Sequence, residues 1–292
     1  MIIPHFFKAR SRFGIAYKPF NQTDNNFGVE KGADEILDSR FLEKFEHYKI
    51  SSFDFPNPDG ALRDAYFDLF RNNILDFKNF INGELKDGEM QIVVGGDHIV
   101  SLSSVLAVID RIGEASRLGY IHFDSHGDIN KFYESPSNNF HGMYLRPLFD
   151  KFDVEQIDGL VPNKIPVENL LIVGNLELDP GEKKFIEESN IKIISRLSLT
   201  NSKKQTLKEF EKFINTFEHL HVSFDGDVLD KSIFPATGIP SENGFRLEEI
   251  MSLIKIIKTH NSLTIDFAEY NPQKDIDEKS KKIAQEILFA II

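Results

Sequence analysis

The stretch LGYIHFDSHGDIN, residues 118–130, decides how the chain is read. It begins like a buried β-strand and ends in a string of charge, with Asp124, His126 and Asp128 two positions apart. A turn after a strand needs polar residues, but not two carboxylates and an imidazole packed so closely. Both halves of that pattern recur along the chain.

Short apolar runs alternate with amphipathic stretches on either side. Upstream, RFGIAY (12–17) and YKISSFDF (48–55) read as strands flanking a helix around GADEIL, and residues 62–81 read as a long helix. MQIVVGG (90–96) is a buried strand followed by a helix over 101–112. NLLIVGN (169–175) leads into a helix over 180–190 and the strand IKIISR (191–196). A helix over 207–218, the strand HLHVSFD (219–225), a helix over 246–260, the strand SLTIDFAEY (262–270) and a closing helix complete the chain. This alternation predicts an α/β fold, a parallel sheet covered by helices on both faces. With no linker-like tract or fixed repeat, residues 1–292 read as a single domain.

Composition narrows the function classes. The chain has 34 Lys and Arg against 46 Asp and Glu, a net charge of −12, which argues against nucleic acid or an anionic membrane as partner. Without cysteine it has no disulfide, thiolate metal site or thiol nucleophile. No window approaches the ~20 apolar residues of a membrane span, and MIIPHFFKAR has too short an apolar run for a signal peptide, so a cytoplasmic location is expected.

The strand ends carry the chemistry, because ligands of such sheets bind outside the carboxyl ends of the strands. GGDH places Asp97 and His98 after one strand, and DSHGD follows another. DGDVLD places Asp225 and Asp227 after a third, and AEYNP places Glu269 after a fourth. Residues two apart in extended chain point the same way, so each set can converge. For one Asp or His a cap or turn is the simpler role; several such sets on parallel strand ends indicate a site. A bare cluster of this kind repels itself, whereas two divalent cations turn the repulsion into coordination. Ligands rich in carboxylate with some imidazole suit Mn²⁺ better than Zn²⁺ or Cu²⁺.

GGDH, DSHGD and SFDGDVLD, in that order, resemble the ureohydrolase superfamily of arginases, agmatinases and formimidoylglutamases. The likeness runs from GVEKGA (28–33) to the C-terminal helix. It implies a three-layer α/β/α fold with a central, mostly parallel sheet, of the arginase–deacetylase kind. It also implies a binuclear manganese centre, with Co²⁺ and Ni²⁺ accepting similar ligands. His98, Asp124, His126, Asp128, Asp225 and Asp227 match the family's metal positions. The implied reaction is attack of a metal-bridging hydroxide on the guanidino carbon, with Asp128 accepting a hydrogen bond from the hydroxide. Glu269 matches the carboxylate that pairs with the guanidinium, and His141 the histidine that passes a proton to the leaving amine. A homo-oligomer, trimer or hexamer, is implied as well.

Within the family, residues 129–143 resemble the arginase loop that reads the substrate's α-carboxylate, with Asn130, Ser135, Ser137 and Asn139 at the relevant positions. Asp179 and Glu182 in LDPGEKKFI match the pair that holds the α-amino group, although acidic residues there also suit a plain helix N-terminus. Together they favour L-arginine, cleaved to urea and L-ornithine. Agmatine, guanidinobutyrate or formimidoylglutamate as substrate, and a non-catalytic metal-binding relative, remain the alternatives. Departures from the pattern are Ser125 for Ala, Asn138 for Gly, Leu176 for Arg, Ile239 for Thr and Lys231 for Pro. A two-metal phosphoesterase fits less well, because DSH and GDVLD lie about a hundred residues apart and no Gly-Asn-His follows. A single-zinc deacetylase has no need of both DSHGD and DGD.

Overall fold

The computed structural model describes residues 2–15, 26–56, 63–174 and 177–292. Eight strands form one sheet: β1 (Ile3–Arg10), β2 (Lys49–Asp54), β3 (Glu89–Gly95), β4 (Leu118–Phe123), β5 (Leu170–Val173), β6 (Lys192–Ile194), β7 (His219–Asp225) and β8 (Leu263–Ala268). They lie in the order β2-β1-β3-β8-β7-β4-β5-β6, and every neighbouring pair is parallel.

Alternate residues of the central strands feed two separate cores. Ile121 and Phe123 of β4, Leu220, Val222 and Phe224 of β7, and Ile265 and Phe267 of β8 face one side. There they meet apolar residues of the helices Lys203–Ile214, Leu247–Ile257 and Lys279–Ile291. Leu118 and Tyr120, with Leu170 and Ile172, face the other side. The helices Arg63–Glu84, Val100–Ile112 and Pro180–Glu188 cover that face. A parallel sheet buried on both faces normally reads as continuous apolar sequence. At its centre this one departs from that on one face, where β4 turns His122, β7 turns His221, Ser223 and Asp225, and β8 turns Asp266 inward, all buried. That polar strip leads to the site.

The four strands whose ends carry ionisable clusters, β3, β8, β7 and β4, are the four central neighbours. Consecutive strands β3 and β4 are separated by β8 and β7, which opens a crevice at the carboxyl edge. Gly96 permits a close approach here: a Cβ at this position would sit 1.8 Å from the carbonyl oxygen of Ser11.

One expected element is replaced. Of residues 12–17, Phe13–Ile15 is a 3₁₀ turn, residues 16 and 17 lie outside the described residues, and the first strand is Ile3–Arg10. Lys8 and Arg10 disguise this strand in the sequence. Both are answered by Asp34, with Lys8 Nζ at 3.1 Å and Arg10 Nε at 2.6 Å, so a buried strand tolerates them. Among the described residues no helix is long and apolar enough to cross a membrane.

Candidate metal centre and substrate cleft

The spacing of the charged residues orients them through local hydrogen bonds. β4 ends at Phe123, so residues 124–128 are not extended strand as alternation alone suggests. Instead, Asp124 Oδ1 accepts the backbone N–H of His126 at 2.7 Å, and Asp225 Oδ1 accepts that of Asp227 at 2.7 Å. These are Asx turns, the ordinary outcome of Asp followed two residues later by a free N–H. Asp227 Oδ1 is held in turn by the N–H of Ser125 at 3.1 Å. Each carboxylate therefore has one oxygen pinned to backbone and a second left to face its neighbours.

Oxygens of these carboxylates and of Asp128 converge on imidazoles. His98 Nδ1 lies 3.2 Å from Asp124 Oδ2, 3.0 Å from Asp128 Oδ2 and 3.4 Å from Asp225 Oδ2. His126 Nδ1 lies 3.4 Å from Asp124 Oδ1 and 3.1 Å from Asp227 Oδ2. All six side chains expected at the centre are thus brought together. Two groups of ligating atoms emerge, sharing Asp124: one with His98 and His122, the other with His126 and Asp227.

The electrostatics are those of a site that wants cations. Burial and then the charges of Asp227 and Asp124 push the Asp225 carboxyl well above its usual range. Burial, opposed by His126 and helped by the charge of Asp124, leaves Asp227 raised to about 6. His98 Nδ1, His122 Nε2 and Asp124 Oδ2 are buried without a hydrogen-bond partner. Orphaned lone pairs in a dry interior are costly, and a divalent ion satisfies several of them together. The residues present fit a metal.

Two site residues adopt the left-handed backbone region, Asp128 with φ +48° and Glu269 with φ +64°. For residues other than glycine this region is strained, and such strain gathers at working sites. It aims Glu269 across the crevice, where Oε1 accepts the N–H of His98 at 3.0 Å and lies 3.0 Å from His141 Nδ1. Burial opposes the charge on Glu269, but His141 and His98 hold its carboxyl below the ordinary value. Burial also opposes protonation of His141, yet Glu269 raises that imidazole to about 9.

A cleft of about 270 Å³ opens above the cluster, lined by His126, Asp128, His141, Asp225, Asp227 and Glu269 below and by loop residues at its mouth. It has room for a ligand of amino-acid size. Asn130, Ser135, Ser137, Asp179 and Glu182 line it; Asn139, which is buried, does not. Asn138 has φ +55°, a conformation asparagine tolerates in place of glycine, and its Nδ2 ties the loop to Phe132 O at 2.6 Å. Asp179 and Glu182 also serve the helix Pro180–Glu188. Glu182 Oε2 accepts the N–H of Asp179 at 3.0 Å, and Oε1 accepts that of Ile129 at 3.1 Å. The helix N-terminus role is thus present, on two residues that also line the cleft. Asn130 Nδ2 donates to Asp179 Oδ2 at 2.9 Å, linking the two halves of the mouth.

Among the departures, Ser125 gains a function: its hydroxyl donates to the carbonyl oxygen of Asp227 at 2.7 Å, cross-linking two strand ends. Ile239 stands 58% exposed at the cleft mouth. Lys231 pairs with Glu242 away from the cleft, and Leu176 lies outside the described residues.

Sequence reading missed the layer behind the ligands. His98 Nε2 lies 2.9 Å from Ser223 Oγ, which donates to Asp266 Oδ1 at 2.6 Å. Asp266 Oδ2 lies 2.6 Å from His221 Nε2, and Ser101 Oγ donates to Asp266 Oδ1 at 2.6 Å. Groups behind a ligating histidine fix its tautomer and ring angle. The alternation of HLHVSFD, with polar residues on one face of a central strand, was the available signal.

Comparison with known proteins agrees with this geometry. A family model described as the Arginase family matches residues 11–292. An arginase of Bacillus caldovelox is 33% identical over 286 residues, spanning 91% of this chain and 93% of that relative. The arginase of Bacillus subtilis (strain 168) is 30% identical over 220 residues, spanning 73% and 72%. The crystal structure of Entamoeba histolytica arginase in complex with L-ornithine superimposes with a TM-score of 0.85 at 22% identity, covering 99% of this chain and 97% of that one. The native Bacillus caldovelox arginase gives a TM-score of 0.85 at 23% identity, covering 100% and 98%. At such identities the structures establish a shared fold.

Proposed function

The chain belongs to the arginase family, and from that premise we propose that it hydrolyses the guanidino group of L-arginine to urea and L-ornithine with two divalent metal ions. The observation that carries this reading is the meeting of His98, Asp124, His126, Asp128, Asp225 and Asp227 at the ends of neighbouring strands, with orphaned buried atoms at their centre. These six side chains would hold the ions, and the carboxylate majority favours Mn²⁺. When bound, two such ions supply a water of lowered pKa as nucleophile near neutral pH.

The protein's own groups do the rest. Glu269 pairs with the guanidinium, a planar and permanently charged group suited to a carboxylate at the floor of an acidic cleft. It also orients His141 through Nδ1, 3.0 Å away, leaving Nε2 to pass a proton to the departing amine. Glu269 stabilises the proton on His141, so the imidazole is held charged and ready to donate. Asp128 accepts a hydrogen bond from the attacking water. Asn130, Ser135 and Ser137 read the α-carboxylate, Asn139 holds Ser137 through its backbone N–H, 3.2 Å from Ser137 Oγ, and Asp179 and Glu182 attract the α-ammonium. The whole of residues 1–292 acts as one domain in a homo-oligomer, as resemblance to the family implies.

Urea release from L-arginine and from agmatine, assayed side by side with added Mn²⁺, tests the substrate. Turnover of arginine well above agmatine is expected; release from agmatine alone overturns the assignment.

A further inference from the structure

His122 is not one of the six ligands above, yet it faces the same point as two of them. It is the penultimate residue of β4, two positions before Asp124, and the distances place both side chains at one point. Its Nε2 lies 3.2 Å from Asp124 Oδ2, the oxygen that His98 Nδ1 also faces at 3.2 Å. The imidazoles of His98 and His122 lie 5.4 Å apart, their planes 28° from parallel. His98 Nδ1, His122 Nε2 and Asp124 Oδ2 are each buried and each without a hydrogen-bond partner.

The far sides of the two rings share one support. The Tyr144 hydroxyl lies 3.2 Å from His98 Nε2 and 3.2 Å from His122 Nδ1. It is held in turn at 3.1 Å from Ser223 Oγ and 3.1 Å from Tyr120 OH. A histidine whose rear nitrogen is tied to a fixed hydroxyl, and whose front nitrogen faces a carboxylate without bonding it, has the tautomer and aim of a ligand.

We propose that His122 is an additional ligand of the deeper cation position, the one faced by His98 and Asp124, and that Tyr144 positions both imidazoles. This deepens the two-cation reading above and rests on it. A second imidazole moves that position from hard toward borderline ions. The consequence is selectivity: the deep position gains relative preference for Co²⁺ or Ni²⁺ over Mn²⁺, while the position at His126 and Asp227 keeps a single imidazole.

Calorimetric titration of chelator-stripped protein with Mn²⁺ and with Co²⁺, alongside the visible absorption of the Co²⁺ form, reads this directly. Against wild type, His122→Phe weakens Co²⁺ at one of the two positions by roughly 10- to 100-fold and Mn²⁺ by less, and alters the Co²⁺ bands. His122→Gln, which retains a polar group toward Tyr144, guards against a folding defect; thermal melts of the metal-free variants register one. Tyr144→Phe weakens the same position by a smaller factor. Wild-type affinities and an unchanged Co²⁺ spectrum in a folded His122 variant overturn the proposal, even where wild type binds two ions and releases urea. A wild-type protein that takes up no metal instead overturns the reading beneath it.

Discussion

Ser125 joins the two halves of the site, donating its N–H to Asp227 Oδ1 and its hydroxyl to Asp227 O. Ser125→Ala therefore costs about 1 kcal/mol in denaturant unfolding while metal content stays at wild type. His141 touches Glu269 and lines the cleft without joining either ligand group. His141→Asn retains both ions by inductively coupled plasma analysis and slows turnover roughly 10²- to 10⁴-fold. Asp227→Ala loses one metal equivalent along with urea formation; full two-metal content in that variant removes Asp227 from the ligand set. At this scale the sequence pointed to six side chains that the fold brings together; Asp-x-His and Asp-x-Asp are spacings that short-range hydrogen bonding converts into geometry, and GGDH supplied His98. His122 was hidden for the opposite reason. It sits inside the apolar run of β4, where a histidine looks like core, and only the fold shows its Nε2 3.2 Å from Asp124 Oδ2.

At the scale of elements, one carboxylate links strand β3 to β1 and, across it, to β2. Glu89 Oε2 lies 2.8 Å from His5 Nδ1 on β1 and accepts the N–H of Lys86 at 2.9 Å, while Oε1 pairs with Lys49 on β2. Burial alone would raise its pKa, but Lys49, the Lys86 N–H and His5 bring it down to about 2. A folded-state pKa below the unfolded one contributes stability above the ordinary value, near 4.5, and loses it as pH falls toward 2. Glu89→Gln should thus lower Tm at pH 7 and flatten the acid limb of the Tm–pH curve between about pH 5 and 2; an acid limb as steep as wild type speaks against this pairing. The elements of β/α alternation were legible because strands such as LLIV and HLHVSFD are short and sharply bounded. β1 was not, since Lys8 and Arg10 interrupt its apolar pattern and their partner Asp34 is distant in sequence.

Over the whole molecule, the strand order explains why the ligands meet. Motifs a hundred residues apart become neighbours because β8 and β7 insert between β3 and β4. Order of insertion is a long-range property that local patterns do not carry, whereas the family motifs carry it by resemblance. Ions held by these carboxylates would tie together strand ends that otherwise repel, so chelation is expected to lower Tm. An ion at 100 times its Kd stabilises the fold by about 2.7 kcal/mol per site, and equal Tm with and without chelator denies the centre a structural role. The central claim is a hydrolase that needs two ions, and it is tested by titrating chelator-stripped protein with Mn²⁺ while following both bound metal per chain and urea released from L-arginine. Urea release that requires filling of both positions agrees with the account. Urea from the metal-free protein, or full activity with one ion per chain, contradicts it.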